Sequence, residues 1–131
     1  MSRLTNFPNG IGGYIVDDQA VAKEANYTIV INTDSGKTFT SMNDGQVFQL
    51  PSLAVGNVIT FVNMAPDGTA GISISPDALD GIGYAGSDTD NKDVINTKAT
   101  SKRGDFITIA SEDGVVSWKV VAARGVWAKE A

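Results

Sequence analysis

The sequence predicts an all-β protein: a single antiparallel β-sandwich, jelly-roll-like, preceded by an extended N-terminal arm. Three observations predict it. Short runs of β-branched and aromatic residues alternate with polar ones at the two-residue period of a half-buried strand. Clusters of Gly, Asn, Asp and Pro interrupt these runs about every ten residues, the spacing of a sandwich or barrel. The 131 residues suit one domain that buries its core without a disulfide or metal. The expected division is an anchoring arm over 1–25 and a sandwich over 26–131.

The arm comes first. Asn6, Pro8, Asn9, Gly10, Gly12 and Gly13 disfavour both helix and long strand. Yet Leu4, Phe7, Ile11, Tyr14, Ile15 and Val16 are more apolar mass than a solvated linker carries. Large apolar groups on such a backbone imply a surface to receive them, either a partner's or the chain's own. Residues 17–25 read as a short helix with Asp17 or Asp18 as N-cap.

Strands are expected from Tyr27 onward. Residues 27–31 are β-branched and end in the turn set 32–36, and residues 37–41 follow. Asn43-Asp44-Gly45 reads as a hairpin turn into 46–50, which Pro51 closes. Residues 57–63 form the clearest buried strand, Pro66-Asp67-Gly68 turns, and 71–75 alternates strictly before Pro76. Residues 105–110 repeat that alternation, Glu112-Asp113-Gly114 turns into 115–121, and a last short strand includes Val126 and Trp127. The polar stretch 78–103 reads as a long surface excursion in which only Val94-Ile95 is strand-like.

Composition excludes several functions. The sequence has no His and no Cys, so it offers no Ser–His or Cys–His catalysis, no disulfide and no Cys/His zinc site. A net charge of −5 gives nucleic-acid binding little electrostatic support. No apolar run approaches the roughly 18 residues of a membrane span, and the start lacks a signal-peptide pattern, so cytosolic synthesis is expected. Fifteen carboxylates are present, but nearly all lie in turn contexts and no acid/base pair stands apart; the expectation is no enzyme, no cofactor and no metal.

The remaining motifs are modest. Gly81-Ile82-Gly83-Tyr84-Ala85-Gly86 matches a dinucleotide-loop spacing, but with no strand before it and no helix after it the reading is a glycine loop. Asp88, Asp90, Asn91 and Asp93 alternate as hard oxygen donors, yet Lys92 interrupts them; a solvated acidic loop is expected. Asn26-Tyr27-Thr28 fits a glycosylation pattern without a secretory context. Trp118 alternates with Val116 and Val120 and belongs to the core, while Trp127 is a candidate subunit contact. Lys98, Lys102 and Arg103 form a solvated basic face or a complement to an acidic surface.

Two sets of residues resemble known proteins. Arg3-Leu4-Thr5-Asn6-Phe7-Pro8-Asn9-Gly10 resembles the N-terminal segment of many tailed-bacteriophage virion proteins. Asp34-Ser35-Gly36-Lys37-Thr38-Phe39, Leu50-Pro51, Gly56-Asn57-Val58-Ile59-Thr60-Phe61-Val62-Asn63, Ile72-Ser73-Ile74-Ser75-Pro76 and the run from Val116-Ser117-Trp118-Lys119 to Val126-Trp127 resemble the small β domain of phage tail-fibre and capsid-decoration proteins. The stretch 78–103 is longer and more charged than that pattern. The resemblance implies a virion structural protein, homotrimeric, on the capsid exterior. An arm with one small domain suits a decoration (cement) protein bound to the major capsid protein. Leu4, Phe7, Pro8, Ile11, Tyr14 and Ile15 would then fill grooves of the shell. The alternative is a tail-associated receptor- or glycan-binding module that uses 78–103 and Trp127.

Overall fold

The computed structural model describes residues 20–84, 91–112 and 117–130. Their strands form two sheets. The larger contains β1 (Ala20–Lys23), β3 (Thr38–Ser41), β5 (Val58–Asn63), β9 (Asp105–Ala110), β10 (Ser117–Arg124) and β7 (Gly81–Gly83), side by side in that order. The smaller runs β11 (Trp127–Lys129), β8 (Val94–Asn96), β6 (Ile72–Ser75), β4 (Gln46–Gln49) and β2 (Tyr27–Thr28). The one described helical element is a short 3-10 turn, Lys98–Thr100.

The two sheets pack face to face because each strand buries every second side chain. The larger sheet contributes Phe39, Ile59, Phe61, Ile107, Ile109, Trp118 and Ile82, the smaller Phe48, Ile72, Ile74, Val94 and Trp127. Phe39, Phe48 and Phe61 meet at the centre with ring centroids 5.0–6.1 Å apart, Phe48 tilted against both and Phe39 stacked on Phe61, in the range of favourable aromatic contacts. Phe48 reaches them from the smaller sheet, so this trio ties the layers together.

The all-β class is as expected, but the strand directions correct the antiparallel expectation. β1–β3, β3–β5, β2–β4, β4–β6 and β7–β10 are parallel pairs. β5–β9, β9–β10, β6–β8 and β8–β11 are antiparallel. From β1 to β6 the chain alternates between sheets, and each strand stacks on the one laid down two strands earlier. The first half is therefore a flattened coil, and the second half closes it with antiparallel pairs, apart from the parallel pair β7–β10. Alternating hydrophobicity fixes which face of a strand is buried, not the direction of its neighbour.

The corners of the coil also stack. Asn43-Asp44-Gly45 is not a hairpin turn; it carries the chain from β3 in one sheet to β4 in the other, with Gly45 at φ +78°. A hairpin and a sandwich corner ask for the same residues. The buried Gln46 accepts from Ser41 Oγ at 2.5 Å and donates to the carbonyl of Ala25 at 2.7 Å, joining this corner to the preceding one. Asp44 accepts from the Gly71 N–H at 2.9 Å and joins it to the next. At the opposite corners, Asn57 Oδ1 accepts from the Asn32 N–H at 2.8 Å.

Three further expectations change. The described part of the expected 17–25 helix is strand β1: Val21 lies in register with Phe39 and packs against the core, which outweighs a short, weak helical preference. The folded sandwich thus includes residues 20–25, which had been assigned to the arm. Gly81–Gly83 is not loop but strand β7, with Ile82 fully buried. Of the strand expected over 27–31, only Tyr27–Thr28 pairs regularly, although Ile29 remains in the core.

Candidate functional site

The outward side chains of the larger sheet lie in cross-strand rows. Ala20, Thr38, Thr60, Thr108 and Ala122 make one row; Ala22, Thr40, Val62, Phe106 and Arg124 make the next. A third joins Val58, Ala110 and Lys119. Thr60 Oγ1 and Thr108 Oγ1 lie 2.8 Å apart, so these two hydroxyls satisfy one another within the sheet. The described outward positions hold no carboxylate, and their two cations, Lys119 and Arg124, both belong to β10. An acidic protein has placed a broad, nearly neutral Ala/Thr/Val face on its surface.

Two grooves border that face. At the end where Glu24, Met42 and Met64 leave the strands, a groove of about 350 Å³ is lined by these residues with Ala22, Thr40 and Arg103. At the other end, Val55, Val58, Ala110 and Val121 line an open groove of about 470 Å³. Val55, Val58, Val121 and Met42 are among the exposed large hydrophobic side chains. Val30, Leu79 and Val126 are exposed elsewhere; the four that border this face give it an apolar rim of the kind interaction surfaces carry. Its geometry suits a flat partner more than a small substrate, for which an enclosed pocket with convergent polar groups is usual.

Polar clusters elsewhere serve the fold. Asp34, 2% exposed, accepts from Tyr27 Oη at 2.7 Å, the Val30 N–H at 2.8 Å and Lys37 Nζ at 3.2 Å. Burial pushes the Asp34 carboxyl up, but these three donors outweigh it and hold the group below its ordinary value. The same hydrogen bond pushes the Tyr27 phenol up. Lys98 and the Gly71 N–H hold Asp44 low. Asp93 is raised by burial and by the charge of Glu130, against a hydrogen bond from Ser75. Among the described residues no group of three or more metal-ligating side chains converges.

The residues singled out in the sequence are distributed as follows. Leu4, Phe7, Pro8, Ile11, Tyr14 and Ile15 lie outside the described residues, as do Asp88 and Asp90. Trp127 is 5% exposed, within the chain's own core, and its indole N–H donates to the Arg124 carbonyl at 2.9 Å. That position withdraws it from the surface on which a subunit contact was expected. Lys98 pairs with Asp44 at 2.8 Å, Lys102 lies 3.7 Å from Asp67, and Arg103 Nε donates to the Met64 carbonyl at 2.8 Å. The basic group is therefore held by the chain's own acceptors. The neutral face was not anticipated, although its signal is in the sequence: the outward half of each alternation is Thr or Val in β3 and β5 and Phe106, Thr108 and Ala110 in β9, with no Lys or Glu.

No protein-family model matches this chain, and no curated protein matches it.

Proposed function

We propose that this chain is a structural protein of a tailed-phage virion, of the capsid-decoration type, anchored to the assembled shell of major capsid protein by its N-terminal segment. The observation that carries the reading is where that segment enters the fold. β1 is an edge strand of the larger sheet, so the chain meets the sandwich at its rim, where Ala20 begins the strand. A segment arriving at a rim can project Leu4, Phe7, Ile11, Tyr14 and Ile15 toward a neighbour without opening the core. The resemblance of the start of the sequence to phage virion proteins supports a virion surface as that neighbour.

The mechanism is mechanical. Apolar side chains of the segment fill grooves between shell subunits, and its backbone extends an exposed strand edge. Because the protein binds only the assembled shell, its binding free energy adds to shell stability by mass action. Joining several segments in one oligomer raises their effective concentration and turns modest contacts into lasting attachment.

The test uses particles lacking this protein, mixed with the full chain or with a chain lacking residues 2–16, and sedimented. The full chain is expected in the pellet. The shortened chain is expected in the supernatant, with an unchanged cooperative melt. Equal decoration by both would refute the anchoring role of the segment, and failure of the full chain to bind shells would refute the capsid reading.

A further inference from the structure

We propose that the outer face of the larger sheet is where two copies of this chain meet, related by a two-fold axis parallel to the strands. Three observations select a second copy as the occupant. First, Glu24, Asp44, Asp67, Glu112 and Glu130 are exposed around the molecule, but the outward strand positions of this sheet hold no acid. Glu24 and Glu112 line the grooves at its two ends, and between them two chains of net charge −5 can approach with no carboxylate on the strands themselves.

Second, the face is self-complementary in charge. In the order β1-β3-β5-β9-β10-β7, β5 stands midway between β1 and β10. Arg124 is the outward residue of β10 in the row of Ala22, and Glu24 continues the outward series Ala20, Ala22 just past the end of β1. Rotation about an axis through β5 lays the β10 side of each copy over the β1 side of the other. Each Arg124 then faces the neighbourhood of the partner copy's Glu24, and both contacts form at once, as an isologous interface requires.

Third, the side chains suit sheet-on-sheet packing. Val58, Thr60 and Val62, the outward residues of β5, lie along the proposed axis, short groups that let two sheets approach to the usual separation of about 10 Å. Five strands at about 4.8 Å spacing, averaging about six residues at about 3.3 Å rise, give a footprint of roughly 24 by 20 Å, about 500 Å² per copy and smaller than the roughly 800 Å² per partner of a standard stable interface. A footprint of that size fits a weak, reversible association. The two-fold association differs from the three-fold assembly implied by the family resemblance, and the oligomeric state in solution decides between the two. The inference extends the proposed function without depending on it, since it concerns the isolated chain with no shell present.

Sedimentation equilibrium of the full chain, up to about 500 µM, tests it. The expected result is a monomer–dimer equilibrium. Arg124→Glu and Glu24→Arg should each weaken it by roughly tenfold, and the double variant should recover most of the loss. Thermal melts of all three variants verify folding, and Thr60→Glu, which puts two carboxylates on the axis, provides a second disruption. A monomer throughout the range, which a face covered by the chain's own N-terminal segment or reserved for the shell would give, overturns the proposal. So does a trimer, or a double variant as weak as the singles.

Discussion

Gly125 lies so close over the buried carboxylate of Asp105 that a Cβ at position 125 would collide with it. Gly125 also has φ +99°, in the region that side chains avoid. Asp105 begins β9 and accepts from the Lys102 N–H at 2.9 Å and from Asn96 Nδ2 at 3.3 Å. Asn96 also donates to the Val126 carbonyl at 3.1 Å, and Asn63 donates to Asn96 Oδ1 at 2.8 Å. A buried polar cluster thus joins the two sheets where the chain crosses from β10 to β11. Gly125→Ala should cost about 2–4 kcal/mol through strain and overpacking. In a thermal melt, Tm should fall by about 10 °C; an unchanged Tm would show that the crossing relaxes freely.

Asp34 makes stability depend on pH in a definite direction. Its folded pKa is lowered, so its contribution is complete above the ordinary carboxyl range and is lost as pH falls through the folded value. Asp34→Asn should cost about 1–3 kcal/mol at pH 7, because the bonds from Tyr27, Val30 and Lys37 weaken. Urea midpoints of the two proteins should converge as the pH is taken below 4. A gap that persists undiminished in acid would assign the loss to shape rather than charge.

The central aromatic trio carries much of the attachment between layers. Phe48→Ala should cost about 3–5 kcal/mol, since the ring is fully buried between Phe39 and Phe61. The loss with Phe61→Ala should be less than additive, because the two rings touch. Denaturant unfolding of the two single variants and the double variant measures this coupling.

Much of this architecture was legible in the sequence, for a physical reason. Burial at every second position is written directly into runs such as Val58–Asn63 and Asp105–Ala110, whose bounds and inner faces follow from period alone. What the period omits is the partner. Asn43-Asp44-Gly45 reads the same whether the next strand folds back or crosses to the other sheet, and only the contacts of Gln46 with the preceding corner distinguish them. β7 was missed because Gly81 and Gly83 weaken the strand signal, and Ile82 alone cannot restore it. Trp127 looked accessible because Ala and Gly surround it, whereas its burial comes from residues distant in sequence. Of the site, the apolar composition of the arm was plain, and the neutral outer face was readable from the Thr and Val positions.

Gln46 makes the stacked-corner account testable at one residue. Gln46→Ala removes the acceptor of Ser41 Oγ and the donor to the Ala25 carbonyl, both in a largely buried setting. The expected cost is about 1–3 kcal/mol. Amide hydrogen exchange should show the first loss of protection in β1 and the corner before β2, and little change in β9 or β10. Uniform loss across both sheets would contradict a locally held first coil.

The capsid-decoration reading is tested most directly by a cryo-electron microscopy reconstruction of intact virions that carry this protein. It predicts density fitting the two-sheet sandwich at repeated positions over the shell exterior, with a thin connection from the β1 rim into grooves between capsid subunits. Density for the sandwich confined to the tail, with a bare shell, would contradict it.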